Sequence, residues 1–463
     1  MDRTRALRTQ PMSTLIWSLS LPAILSMLVS SLNMLVDRTF VSWGVGTTGV
    51  SAVSVSTGLT LIVQGFSFLP ALGGAATIGL KLGKGDTAGA QKVIGNAVGL
   101  SVLISIVLTV VALLVLKPLL TLYGANDQNL EMASQYATVI TAGTILFMLA
   151  QVSNNLIKGM GYAKRALFNF ALSIVVNAAL NPVFIFVFKW GVIGSAASTV
   201  IGYAVAAGLS LQFLRSPAST ARFTLAATKL TPDTVRMILR IGLPACVTQL
   251  ALSLVSLTFN HVAYTIGGNS AVAAYGLIYG VIMMVYMPII GLGQGIQPIV
   301  SHNYGAGDYD RARLALRKSL LWSTLFCLVA WAIIELFAGP VAALLTGGAD
   351  PALTSLTAGG LRLFCASLPL VGFVLIVSSF YQYIGQYKQA TMLTALRQLI
   401  FLIPLVMVLA HVWGAVGLWI ATPIADVLAF FATLIVLKCC PIAAPASAVA
   451  LDDQAAGLTG SKL

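Results

Sequence analysis

The chain reads as a succession of long apolar runs, each closed by glycine, proline or a cluster of charge. About twelve runs of 20 or more residues occur, at 13–41, 50–78, 93–117, 131–157, 165–188, 192–214, 236–264, 271–300, 315–345, 354–384, 390–411 and 415–438. An α-helix rises about 1.5 Å per residue, so about 20 apolar residues cross a hydrocarbon core about 30 Å thick. Several runs exceed that length, which predicts tilted or bent helices. The pattern therefore predicts an all-α membrane protein with twelve transmembrane helices. Composition agrees: 58% of the 463 residues are hydrophobic and only 8% charged, against about 25% charged in soluble domains.

Charge gives the runs a direction. Of the 26 lysines and arginines, all but Arg38, Lys117, Lys189 and Arg362 fall at the two ends of the chain or at alternate connections. The intervening connections are nearly uncharged or acidic, as in YGANDQNLEM (123–132). Basic residues stay on the cytoplasmic side, so both termini are expected in the cytoplasm, with the chain in a bacterial inner membrane. The net charge of +13 thus reports orientation. No basic stripe interleaves with aromatics, and no nucleic-acid partner is expected. The cysteines Cys246, Cys327, Cys365, Cys439 and Cys440 lie in or beside apolar runs without ligand spacing, as small buried hydrophobes do. They form neither a disulfide framework nor a metal cluster.

The chain also repeats itself. A shift of 222 residues lays LPA (21–23) on LPA (243–245), Gly73 on Gly295, and GKGD (83–86) on GAGD (305–308). Shifts of 224 and 223 lay GYAKRA (161–166) on GQYKQA (385–390), and WGVIG (190–194) on WGAVG (413–417). Six spans have been duplicated, and an even number per repeat makes the repeats parallel, as in transporters whose halves rock. The expected organisation is a cytoplasmic tail (1–12), an N-lobe of six spans (13–214), a cytoplasmic linker (215–235), a C-lobe of six spans (236–438) and a second cytoplasmic tail (439–463).

The stretches LPAILSMLVSSLNMLVDRTFV, GKGDTAGAQKV, KGMGYAKRALFNFALSIVVNAALNPVFIF and GLGQGIQPIVSHNYGAGDYDRAR together resemble the multidrug and toxic compound extrusion (MATE) family. The last is similar in particular to the bacterial branch of small multidrug exporters and DNA-damage-inducible relatives. The resemblance covers residues 13 to 438. It implies two six-helix lobes around a V-shaped cavity, working as a monomer and extruding amphipathic cations in exchange for protons or sodium ions. It also implies that the positions matching Asp37, Asn177, Asn181 and Thr199 gather around one cation site. Some relatives carry Asp where this chain has Asn181, which leaves Asp37 as the one carboxylate expected there.

The residues support that assignment independently. A carboxylate inside a membrane span is costly and marks function. The repeat sets Phe259 opposite Asp37, so the scaffold itself does not require an acid. Asn177 and Asn181 are four apart and share a helix face, and Thr199 follows on the next span. Burial disfavours the charged carboxylate, which favours a proton as coupling ion; amide and hydroxyl oxygens nearby would also serve sodium. Arg38, adjacent in sequence but about 100° away around the helix, is expected to reach toward the headgroups. Candidate substrate contacts are Asn33, Asn154, Met287, Gln294, Tyr381 and the mid-span acid Asp426, while Glu335 is expected to be structural. No cofactor is expected and no enzyme motif is present: His261, His302 and His411 lack metal spacing, and no G-x-S-x-G or H-E-x-x-H occurs. The alternative, a flippase for lipid-linked precursors or polysaccharide, should line its cavity with basic residues. Here those residues read as loop residues.

Overall fold

The computed structural model describes residues 3–346 and 351–440, and the regular elements among them are helices. In chain order they are α1 (Arg3–Thr9), α2 (Met12–Val45), α3 (Thr47–Gly83), α4 (Thr87–Leu114), α5 (Leu116–Leu122), α6 (Leu130–Ala142), α7 (Thr144–Gly159) and α8 (Ala163–Pro182). There follow α9 (Gly191–Arg215), α10 (Pro232–Gly305), α11 (Tyr309–Thr346), α12 (Pro351–Cys365), α13 (Leu368–Tyr383), α14 (Tyr387–Ala395) and α15 (Ile403–Cys439). Two π-helical stretches, Val183–Val187 and Leu396–Leu402, extend α8 and join α14 to α15. Among the described residues, nine helical stretches are long and apolar enough to cross a membrane. The pairs α6–α7 and α12–α13, each bent by 50°, make eleven. Gly414, at φ 59° and ψ −134°, breaks the stretch Tyr387–Cys439 in two and supplies the twelfth.

Sharp reversals recur at the repeat offset. Gly46 (φ 88°) turns the chain between the first two spans, and Gly268 (φ 60°), 222 residues later, turns it inside α10. A side chain on either would be strained at such a φ. The duplication read from sequence therefore reaches down to individual backbone angles.

The lobes meet along a glycine seam. Side chains cannot enter where Gly73 of α3 faces Ile238 and Gly242 of α10, because a Cβ on either glycine would strike backbone. The same holds where Gly83 meets His302 and Ala306, and where Gly295 meets Ser20 of α2. These contacts are related to one another by the repeat: Gly83 and Gly305 are offset partners, and so are Ser20 and Gly242. With lipid outside offering no hydrophobic drive between helices, close backbone approach through small residues is what holds spans together. Hydrogen bonds from Gln297 Nε2 to the Leu72 carbonyl (3.3 Å) and from Ser20 Oγ to the Leu292 carbonyl (3.4 Å) cross the same seam.

The seam lies toward the end of the bundle that carries the basic connections. There α1 docks its apolar face, burying Ala6 and Leu7. Asn303 Nδ2 and Arg311 Nε both donate to the Leu7 carbonyl at 3.2 Å, so the last turn of α1 is capped by the C-lobe. The predicted tail 1–12 is thus largely an ordered helix; that of 439–463 lies outside the described residues from 441 onward. Replacing Gly73 with leucine should force the two lobes apart and lower stability by about 1–3 kcal/mol. Gly280→Ala, where a Cβ meets nothing within 4 Å, should stay within about 0.5 kcal/mol of the parent. Unfolding midpoints in detergent compare the two.

Candidate functional site

Three helices of the N-lobe converge on Asp37. Its carboxylate accepts Asn181 Nδ2 from α8 at 2.5 Å and Asn33 Nδ2, one turn earlier on α2, at 3.3 Å. Asn177, one turn before Asn181, donates to Thr199 Oγ1 (3.1 Å) and Ser198 Oγ (3.3 Å) on α9. Close packing makes this reach possible: a Cβ on Gly202 of α9 would press on the Ser173 carbonyl and on Asn177. The four residues grouped from sequence are therefore brought together, joined by Ser198 and Asn33. Asn177 and Asn181 are buried, and Asp37 and Thr199 are partly so.

Two features give the site its chemistry. Among the described residues no basic group lies within 4 Å of Asp37, and Arg38 forms no ion pair. The carboxylate is thus held by neutral amide donors alone. In addition, the Oδ1 atoms of Asn33, Asn177 and Asn181 are buried without a hydrogen-bond partner, although buried polar atoms nearly always find one. As placed, Asn33 and Asn181 present N–H groups to the carboxylate; turned over, their amide oxygens would join it in the oxygen donor set that hard cations prefer. Just past Asn181 comes Pro182, which lacks an N–H. There the helix loosens into the π-helical stretch Val183–Val187, a departure that recurs at functional sites.

The C-lobe differs. Phe259, opposite Asp37 in the repeat, is buried and stacks on Tyr275 (centroids 4.9 Å apart, 10° between planes). A separate ion pair lies deeper in this lobe, where the sequence suggested no polar cluster. Arg397 Nε meets Asp426 Oδ1 at 2.7 Å, with side-chain exposures of 10% and 3%. Ser367 Oγ donates to Asp426 Oδ2 at 2.7 Å, and Arg397 Nη2 donates to Tyr286 Oη at 3.0 Å. The bonds tie Tyr286 of α10, the Ser367 turn before α13, the second π stretch and α15 into one knot. Arg397 reads from sequence as an inside-loop residue, yet it sits in the π-helical stretch Leu396–Leu402. A usable signal was there: a charge within an apolar run needs an opposite charge, and the next span holds Asp426.

The other candidates scatter. Asn154 is buried and donates to the Ala166 carbonyl at 2.9 Å, stapling α7 to α8. Tyr381 is fully buried, and its hydroxyl donates to the Cys440 carbonyl at 3.0 Å, beyond the end of α15. Gln294 Oε1 accepts from Lys158 Nζ across the seam at 3.2 Å. Lys158, which reads from sequence as a loop lysine, is 7% exposed. Met287 on α10 is half-buried, as is Glu335 on α11.

Comparison with known proteins follows the same division into lobes. The MatE family model matches residues 22–183 and 244–408, once per lobe. Multidrug export protein MepA of Staphylococcus haemolyticus is 23% identical over 418 residues, covering 90% of this chain and 91% of that one. A protein of Shewanella oneidensis named FAD transporter is 25% identical over 444 residues, 92% of this chain and 95% of its own. Among solved structures, an outward-facing multidrug resistance MATE family transporter of the MOP superfamily superposes with a TM-score of 0.88. It shares 26% identity and covers 94% of this chain and 97% of its own.

The C-lobe knot yields a stability test. Arg397→Met should cost about 3–5 kcal/mol, because it leaves Asp426 buried without its partner. Arg397→Met combined with Asp426→Leu should recover most of that loss. The yield and unfolding midpoint of the single and double variants decide it.

Proposed function

The chain belongs to the MatE family of membrane transporters, and we propose on that footing that it exports small molecules in exchange for a cation bound at Asp37. The observation that carries this reading is a carboxylate within a membrane span with amide donors around it and no basic partner within 4 Å among the described residues. Such a group has its charge uncompensated, and it gains most by taking up a positive ion. A proton is the favoured ion. Asn33 and Asn181 turn their N–H groups toward the carboxylate, and a sodium ion would require them to rotate and offer Oδ1. Uptake of the ion neutralises Asp37 and weakens the charge-assisted bond from Asn181 that ties α2 to α8. α2 also touches α10 at the seam through Ser20, so this change has a route to the lobe interface. Thr199 and Asn177 complete the ion site, and Asn33, Met287 and Gln294 are the proposed substrate contacts.

The basic connections set the seam end in the cytoplasm, with both termini there and the chain in the inner membrane of a bacterium. Amphipathic cations are the favoured substrates, in keeping with the relative named multidrug export protein. An anionic substrate is the second reading, since another relative is named FAD transporter and Lys158 lies buried at the seam with an amide for its partner. For the flippase alternative, the second buried basic residue, Arg397, offers little, because Asp426 already neutralises it.

Proteoliposomes carrying the purified chain should accumulate ethidium when a proton gradient is imposed. Asp37→Asn should reduce that uptake to the level of empty liposomes, and Asn181→Leu should reduce it in part. Full ion-driven uptake by Asp37→Asn would refute the site. Uptake driven only by sodium would change the ion, and flavin uptake in place of ethidium would change the substrate class.

A further inference from the structure

The segment joining the lobes does more than bridge them. After α9 it turns back across the first turns of α4, crossing at Gly95 and Gly99, where the absence of side chains leaves room for Ala227 and Thr228. Asn96, 1% exposed, fastens it: Nδ2 donates to the carbonyls of Ala227 (3.1 Å) and Lys229 (3.2 Å), and Oδ1 accepts the Thr231 N–H (2.7 Å). Beside this staple is a cavity of about 330 Å³ lined by Gln91, Lys92, Asn96, Thr224, Lys229 and Thr231, with alanines between them. No acid lines it. Among the described residues neither lysine has a carboxylate within 4 Å. The nearby Asp86 is engaged by the Gly89 N–H (2.7 Å) and Lys81 Nζ (3.0 Å), which, with a smaller pull from the charge of Lys92, hold its carboxyl below the usual range.

The surroundings of the cavity are apolar and exposed. On the segment itself Leu225 is 72% exposed and Leu230 42%. Along α4 the face that carries Lys92 continues through Gly99 to Leu103, Ile106, Val110 and Leu114, each at least 50% exposed from Leu103 on. Those positions are spaced three or four apart and share one stripe. α4 has 28 residues, about 42 Å at 1.5 Å each, longer than a hydrocarbon core of about 30 Å. Lys81, Lys84 and Lys92 mark its first turns as the cytoplasmic end, which places them at the headgroup layer, while the stripe descends among acyl chains.

We infer that this cavity is a binding site for the phosphate headgroup of an anionic phospholipid, its acyl chains lying on the α4 stripe. Two ammonium groups offset the phosphate charge, and the Thr224 hydroxyl and the Gln91 amide offer neutral hydrogen bonds, while the Thr231 hydroxyl donates to Asn96 Oδ1 at 3.1 Å and stays with the staple. A bound headgroup joins Lys92 of the N-lobe to Lys229 of the inter-lobe segment, so the lipid fastens that segment at a second point beside Asn96. A free phosphate would satisfy the lysines equally. The exposed Leu225 and Leu230 on the segment, and the apolar stripe that resumes at Leu103 beyond its crossing, are what favour a lipid.

Thermal unfolding of the full chain, delipidated in detergent, tests this with phosphatidylglycerol, phosphatidylcholine, glycerol 3-phosphate and inorganic phosphate added separately. Phosphatidylglycerol should raise the unfolding midpoint and phosphatidylcholine should not. At about 1 kcal/mol per basic residue, Lys92→Gln with Lys229→Gln should weaken the phosphatidylglycerol response by about tenfold or more. Lys164→Gln with Lys388→Gln removes the same charge from other exposed positions at that end and should leave the response intact. The proposal is overturned if phosphatidylcholine does as well, if both double variants lose the response equally, or if Lys92→Gln with Lys229→Gln keeps it. An equal response to glycerol 3-phosphate or inorganic phosphate would assign the cavity to a soluble anion and overturn the lipid. Should the double variant fail to fold, Lys229→Gln alone, on the exposed segment, gives the same readout.

Discussion

Everything in this molecule hangs from a line of backbone-to-backbone contact between α3, α2 and α10. Inside a bilayer, apolar surface gains nothing by leaving lipid for protein, so the lobes adhere only where their main chains approach closely. Gly73, Gly83, Gly242, Gly295 and Gly305 provide that approach. The buried Gln297, Ser20 and Lys158 side chains add polar bonds that lipid cannot replace. Fixing the lobes at one end leaves the helices free to diverge toward the other, where Asp37 is held within the N-lobe.

The lobes share a scaffold and differ in how they treat charge. The N-lobe holds an acid with neutral amides around it and no basic group within 4 Å among the described residues. The C-lobe places an aromatic stack at the matching position and buries an arginine and an aspartate together elsewhere. The pair is electrically closed, since each charge answers the other at 2.7 Å. Among the described residues the C-lobe pair is thus closed, while Asp37 of the N-lobe has no counter-charge within 4 Å.

Much of this was legible in the sequence, for physical reasons. Helices in lipid must be long and apolar, which makes spans easy to count, and repeats at a fixed offset expose paired turns such as Gly46 and Gly268. Asp37, Asn177, Asn181 and Thr199 could be grouped because helical spacing fixes a face and a short hairpin brings the neighbouring face alongside. Arg397 was misread because one charge near the end of an apolar run looks like a loop residue until its partner in the next span is recognised. Asn154 and Tyr381 drew attention as polar groups in spans. Their partners are main-chain carbonyls of Ala166 and Cys440, and no side-chain pattern announces such acceptors.

The seam has a further consequence. Gly79 faces Ser301, its own repeat partner, and the contact of Gly83 with His302 mirrors that of Gly305 with Leu80. Residues that touch their own counterparts lie on a twofold axis, and a surface of that kind is self-complementary. Such a surface would serve two separate six-span polypeptides as well as two halves of one. In a homodimer, however, every residue appears twice, and an acid on one side would bring an identical acid on the other. Fusion into a single chain is what allowed Asp37 to have a phenylalanine as its counterpart, so that one half can carry an acid that the other does without.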